Sequence, residues 1–186
     1  MKKKRVGVRL FKAFVLCILL LGIVGVAAGG VFVKHVIDNT PEVTAKDILP
    51  QGYTTSIVDQ NGTVLEQLKD SDSNRVYKKY DEISKYMGDA FVAIEDERFY
   101  KHNGIDLQGI IRAGVVGVTH GFHFTEGAST LTQQLIKNNV FPNFVNETNS
   151  ERFERKIQEQ YLALKIEKQM SKKEILEAYM TTINLG

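Results

Sequence analysis

The chain has 186 residues, 43% of them hydrophobic and 25% charged, with a formal net charge of +2. This length suits one sizeable domain, the balance argues for a folded chain, and so small a net charge gives no case for a nucleic-acid partner. A single cysteine, Cys17, excludes an intrachain disulfide and a thiolate metal site.

Six basic residues, Lys2, Lys3, Lys4, Arg5, Arg9 and Lys12, precede an uncharged run of 21 residues from Ala13 to Val33. A helix needs about 20 apolar residues to cross the hydrocarbon core of a bilayer. The pattern predicts a transmembrane signal-anchor over 13–34. The positive-inside rule leaves a cytoplasmic basic tail, 1–12, and sends the rest of the chain outside. A cleaved signal peptide is the competing reading, with Val26-Ala27-Ala28-Gly29-Gly30 as cleavage region, but the apolar run exceeds a usual signal core.

Residues 35–80 read as a juxtamembrane linker followed by a β-hairpin region. The linker, 36–52, carries Pro41 and Pro50. Two β-prone runs then flank Asp59-Gln60-Asn61-Gly62, a hairpin expected to pack on a larger helical body. From Asp81 the periodicity is helical. A short helix starts at Asp81, and Gly88-Asp89 caps the next, which carries Phe91, Ile94 and Glu95. Asp106 opens another helix with Ile110, Ile111 and Val115. A loop follows, then a helix from Ser129-Thr130 with Leu131, Leu135 and Ile136 on one stripe. A long helix over 151–169 places Phe153, Ile157, Tyr161 and Leu164 inward. Ser171 and Glu174 form a capping box on the last helix. The fold class is mainly α, with a small hairpin and an N-terminal transmembrane helix.

Three constellations could carry chemistry. Glu95 shares an i, i+4 stripe with Phe91 and Phe99, and a carboxylate on an apolar stripe is partly desolvated, hence a better base near neutral pH. A salt bridge to Arg98 or Lys101 at the helix end would explain the same residue. His102 and Gly104 fit the stop of that helix. In the second constellation, Gly127, Ser129 and Thr130 stand at a helix N-terminus, where free N–H groups and hydroxyls make an anion site, and Gln134 and Lys137 share one face. An ordinary capped amphipathic helix looks alike. In the third, Arg155 and Glu159 are an i, i+4 pair, with Lys156 beside Glu159 on one flank. A solvated charged face shows the same pattern. His120 and His123 lack a third ligand and read as loop surface rather than a metal site.

The order and spacing of these constellations carry more than each alone. Glu95-Asp96-Glu97-Arg98-Phe99-Tyr100-Lys101-His102-Asn103-Gly104, the run from Gly127 to Asn138, Arg155-Lys156-Ile157-Gln158-Glu159, and Ile175 to Gly186 follow one another as four motifs. In this the chain resembles the glycosyltransferase domain of class A penicillin-binding proteins and monofunctional peptidoglycan glycosyltransferases. The resemblance implies a lysozyme-like domain over 81–186, incomplete at its C-terminal end, which acts on lipid II and the nascent glycan strand at a membrane. It makes Glu95 the general base and Glu159 the second essential carboxylate, orienting substrate or holding cations. Lys137, Arg155 and Lys156 would offset the diphosphate, while Ser129, Thr130 and Gln134 position donor groups. Asp96, Phe99, His102 and Gly127 would support the site, with residues 117–128 as a moving segment over the cleft. No cofactor is required, although a divalent Mg or Mn at the diphosphate is compatible, and cell-wall synthesis proteins are natural partners. Arg152 lies one residue short of the spacing usual for a further arginine. No Ser-x-x-Lys or Lys-Thr-Gly occurs, so the chain carries no transpeptidase motif. The rival readings are a lysozyme-like glycan hydrolase and a membrane-anchored binding domain without catalysis.

Overall fold

The structure, a computed structural model, describes residues 2–49, 55–68, 78–120, 127–141 and 144–183. The chain forms two units, Met1–Pro41 and Glu42–Gly186. In the first, no proline interrupts the run before Pro41, and a single helix, α1, spans Lys2–Asp38. The basic tail and the apolar stretch are therefore one continuous helix. Its segment Phe11–Asp38, 28 residues of mean hydropathy 2.7, is long and apolar enough to cross a membrane.

The second unit begins with residues read from sequence as linker. Val43 and Ile48 are instead buried and belong to its hydrophobic core. The Asp47 carboxylate closes the local turn by accepting from the Thr44 N–H at 2.8 Å and hydroxyl at 2.7 Å. The Ala45 N–H donates to Gln169 at 3.2 Å. A polar composition with flanking prolines concealed two apolar anchors.

Strands β1 (Thr55–Val58) and β2 (Val64–Leu68) pair antiparallel, Thr55 opposite Leu68 and Val58 opposite Val64. The turn forms as its residues predict. Asp59 accepts from the N–H groups of Asn61 and Thr63, each at 2.8 Å, and Gly62 takes φ 83°, a left-handed conformation open to glycine. The expected packing on a helical body is not seen at Ile57, Val58, Val64 and Leu65, which are exposed. Adjacent strand residues point to opposite faces, so these pairs divide their apolar side chains between two faces and leave neither one wholly apolar.

A 3-10 turn at Tyr80–Glu82 leads to α2 (Lys85–Glu95) and α3 (Leu107–Thr119), then α4 (Leu131–Val140), a second 3-10 turn at Phe144–Asn146, α5 (Asn149–Ile166) and α6 (Lys172–Thr182). Ser84 precedes α2, so Gly88 and Asp89 lie inside it rather than capping it. Gly88 is buried, and a Cβ there would lie 3.3 Å from Leu176. The expected starts of α3 after Asp106 and α4 after Thr130 are observed, as is the capping box of Ser171 and Glu174. A second box, Thr148 with Glu151, starts α5 two residues earlier than the periodicity suggested.

The core is built by α4, α5 and α6, which bury Leu131, Leu135 and Ile136, then Leu162, Ala163 and Ile166, then Ile175, Leu176 and Tyr179. Phe99 enters it from the turn after α2 and is fully buried. The apolar stripe of α3 behaves otherwise, with Leu107, Ile111, Val115 and Val118 exposed.

The inner face of α5 is not the one that hydrophobicity selects. Phe153 is 61% exposed and Leu164 41%, while Arg155 and Glu159 share the buried side with Leu162 and Ile166. The expectation of an inward Phe153/Leu164 stripe is thus overturned. Charges enter the interior here because each finds an opposite charge there.

Candidate active site

Helix α2 ends at Glu95, and the reason is the next residue. Asp96 leaves helical geometry, and its carboxylate turns inward to accept from the Leu131 N–H at 3.0 Å and from His102 Nε2 at 2.9 Å. The Gly104 N–H donates to His102 Nδ1 at 3.1 Å, so the ring proton sits on Nε2 and points at Asp96. His102 and Gly104 therefore do not stop the helix; Asp96 has already done so. Phe99 no longer follows Glu95 on one helical stripe, and Glu95 is exposed while Phe99 is sealed. The expected desolvation of Glu95 by a Phe91/Phe99 stripe is absent, because the helix stops before the stripe is complete.

The turn after Asp96 is bolted to α4 and α5. Gly104 adopts φ 95°, and a Cβ on it would lie 2.7 Å from the Ala163 carbonyl oxygen, so glycine is required twice over. Its carbonyl accepts from Thr130 Oγ1 at 2.9 Å and Gln133 Nε2 at 3.2 Å. Arg98 pairs with Asp106 at 2.6 Å and holds that carboxylate below its usual range.

The N-terminus of α4 was expected to bind an anion, and it does so within the protein. The Leu131 N–H serves Asp96, and Thr130 Oγ1 caps the Gln133 N–H at 3.2 Å while donating to Gly104. Thr130 is 2% exposed and its hydroxyl is engaged by Gly104 and the Gln133 N–H, although the residue lines the cavity that Glu95 and Ser129 share. Ser129 differs. Its hydroxyl accepts from Lys156 Nζ at 3.0 Å beside this cavity of about 240 Å³. Glu95, Arg98, Arg112, Gly127 and Ser129 line that cavity, so the first two motifs face one another across it.

One turn further along α4, Gln134 Nε2 donates to Glu95 Oε2 at 2.9 Å. Gln134 Oε1 accepts from the Tyr179 hydroxyl of α6 at 3.1 Å. Burial and the negative charge of Glu95 push the Tyr179 hydroxyl up to about 12.

The cations separate into two kinds. Arg155 donates through Nε to Glu147 at 2.7 Å and through a terminal nitrogen to Glu159. Hydrogen bonding to Glu147, followed by the charge of Glu159, raises its pKa further. Two carboxylates thus pair with it, while the residue also lines a cavity of about 480 Å³ with Phe144 and Glu147. Glu159 is fully buried and also accepts from Lys156 Nζ at 2.7 Å. Of its two expected roles, orienting substrate or holding cations, the contacts described are those of the second. Lys156 keeps a partly exposed side chain between Glu159 and Ser129. Lys137 has no carboxylate within salt-bridge distance among the described residues and lies 4.8 Å from the Phe144 ring centroid. Burial, then repulsion from Lys156, lowers its pKa, while Glu159 and Glu95 oppose that shift. An ammonium in that setting is suited to receiving an anionic group.

Glu147 and Tyr179 were not singled out from sequence. Glu147 sits in a loop with no periodic relation to Arg155. Tyr179 carried a usable signal, since a tyrosine on the Ile175/Leu176 stripe must find a partner for its hydroxyl. Residues 121–126, with His123 and half of the expected moving segment, lie outside the described residues, as do Asn184, Leu185 and Gly186 of the fourth motif.

A family model described as Transglycosylase matches residues 61–186. Penicillin-binding protein 1A of Clostridium perfringens strain 13 is 41% identical over 181 residues, covering 96% of this chain and 26% of that protein. The protein of the same name from Clostridium novyi strain NT is 41% identical over 154 residues, covering 81% of this chain and 18% of its own length. Penicillin-binding protein 1A/1B of Bacillus subtilis strain 168 is 35% identical over 181 residues, with 97% and 19% covered. The chain therefore spans roughly a fifth to a quarter of the length of these curated relatives.

Proposed function

Because this chain belongs to the transglycosylase family, we propose that its cleft polymerises lipid II into β-1,4-linked glycan in bacterial cell-wall synthesis. The supporting observation is the Glu95–Gln134 contact within the electrostatic reach of Lys137. It sets a proton acceptor in the field of a cation that has no carboxylate partner among the described residues.

In this reading the acceptor 4-hydroxyl gives its proton to Glu95 as its oxygen bonds to the donor anomeric carbon. The bond from that carbon to the diphosphate oxygen breaks with inversion, and polyprenyl diphosphate leaves. Proton removal by a positioned base contributes about 10²–10⁴-fold. Lys137 and Lys156 offset charge as it gathers on the leaving group, and Ser129 orients Lys156. Asp96, His102 and Phe99 hold the turn that presents Glu95. Among the described residues no three His, Cys, Asp or Glu side chains gather as a ligand set, and Glu159 is enclosed by two cations.

The apolar helix α1 would hold the domain at the bilayer where the polyprenyl chain resides, with the basic N-terminus cytoplasmic and the cleft outside. A hydrolase reading has less support. Asp96, Asp106 and Glu159 are each held by close donors, and Glu97, the other carboxylate lining the cavity with Glu95, lies 3.3 Å from Arg98. Among the described residues, no carboxylate opposite Glu95 therefore stands clear of a cation or donor to activate water.

The test is Glu95→Gln in the intact membrane protein, assayed on labelled lipid II. Polymer formation should fall by about 10²–10⁴-fold without loss of fold. Unchanged polymerisation would remove the assignment, and short fragments released from finished glycan by the parent protein would favour the hydrolase.

A further inference from the structure

We propose that Tyr179 is a positioning residue, whose hydroxyl fixes the Gln134 carboxamide so that its NH₂ end, and not its oxygen, meets Glu95. The inference rests on the polymerase reading above and extends it to the fourth motif. A glutamine amide has two ends of similar shape and opposite polarity. Turned over, it would set Oε1 against the Glu95 carboxylate, an unfavourable contact of two acceptors.

In the structure, Nε2 donates to Glu95 at 2.9 Å, and Oε1 accepts from Tyr179 at 3.1 Å. The Tyr179 ring meets Phe91 edge-on, with centroids 5.8 Å apart and planes at 74°. Phe91 lies one turn before Glu95 on α2. The same helix therefore carries the base and locates the ring that orients the base's only amide donor among the described hydrogen bonds. The hydroxyl keeps its proton through any working pH, since its pKa is pushed up to about 12. The effect reaches Glu95 only through Gln134.

Tyr179→Phe keeps the ring and its packing on Phe91 and removes only the donor. Loss of one neutral hydrogen bond is expected to lower kcat about three- to tenfold, with KM unchanged and the unfolding midpoint lowered only slightly. Gln134→Met removes the amide at similar volume, and in that background Tyr179→Phe should have no further effect on kcat. This coupling is the readout that a merely structural role would not produce. The measurement uses the intact membrane protein and labelled lipid II, with Glu95→Gln alongside. Wild-type kcat in Tyr179→Phe, or losses in the two variants that simply multiply, overturns the inference and leaves the polymerase reading standing. Failure of the parent protein to polymerise overturns that reading and this inference with it.

Discussion

On the inner side of the turn after α2, Asp96 accepts from an imidazole and a helix N–H and has a side chain only 2% exposed. On the outer side, Glu95 is open to solvent and accepts from one amide. The same division runs through the cations, since Arg155 is enclosed by Glu147 and Glu159 whereas Lys137, among the described residues, meets an aromatic ring and more distant charges. Charges with several close partners have their fields cancelled and serve to locate other groups. Charges with few partners keep theirs and can act on something new.

The comparison breaks if a fully partnered charge can be removed without structural loss. Glu159→Ala leaves Arg155 and Lys156 without their buried carboxylate and should cost about 3–5 kcal/mol of stability, read from denaturant unfolding. Asp96→Asn keeps the shape but leaves one of two buried donors without an acceptor, for a loss of about 2 kcal/mol in the same measurement. Set beside it, Glu95→Gln should leave the unfolding midpoint in place, so that neighbouring carboxylates separate cleanly into one that governs stability and one that governs rate. The smallest effect belongs to Phe153→Ser. A residue this exposed should change stability by less than about 0.5 kcal/mol, whereas an inward phenylalanine would cost several times more.

Much of the helical frame was legible in the residues. The Leu131/Leu135/Ile136 stripe, the cap at Thr130 and the box at Ser171 each rest on spacing that only one structure satisfies well. The hairpin turn at Asp59–Gly62 is equally local. What escaped notice depended on partners distant in the chain. Nothing near Arg155 announces that Glu147 and Glu159 will enclose it, and an i, i+4 ion pair reads alike on a wet face and a buried one. For that reason the inner face of α5 was misassigned. The end of α2 was hidden similarly, because Asp96 leaves the helix for a backbone N–H supplied by α4. Val43 and Ile48 show the same limit, as two apolar residues in a polar setting give no period to read. The motifs lie close together in the fold, yet burial was needed to separate Glu95 from Glu159, and distant carboxylate partners to separate Arg155 from Lys137.

The fit of Gly104 against the Ala163 carbonyl has one more consequence. With the backbone of the turn touching the backbone of α5, there is no compressible side chain between them to absorb displacement. A tilt of that helix is passed undamped to the loop that presents the proton acceptor, and the cations riding on the helix travel with it. Segments remote in sequence are thereby kept in common registration, as two parts machined to one bearing surface.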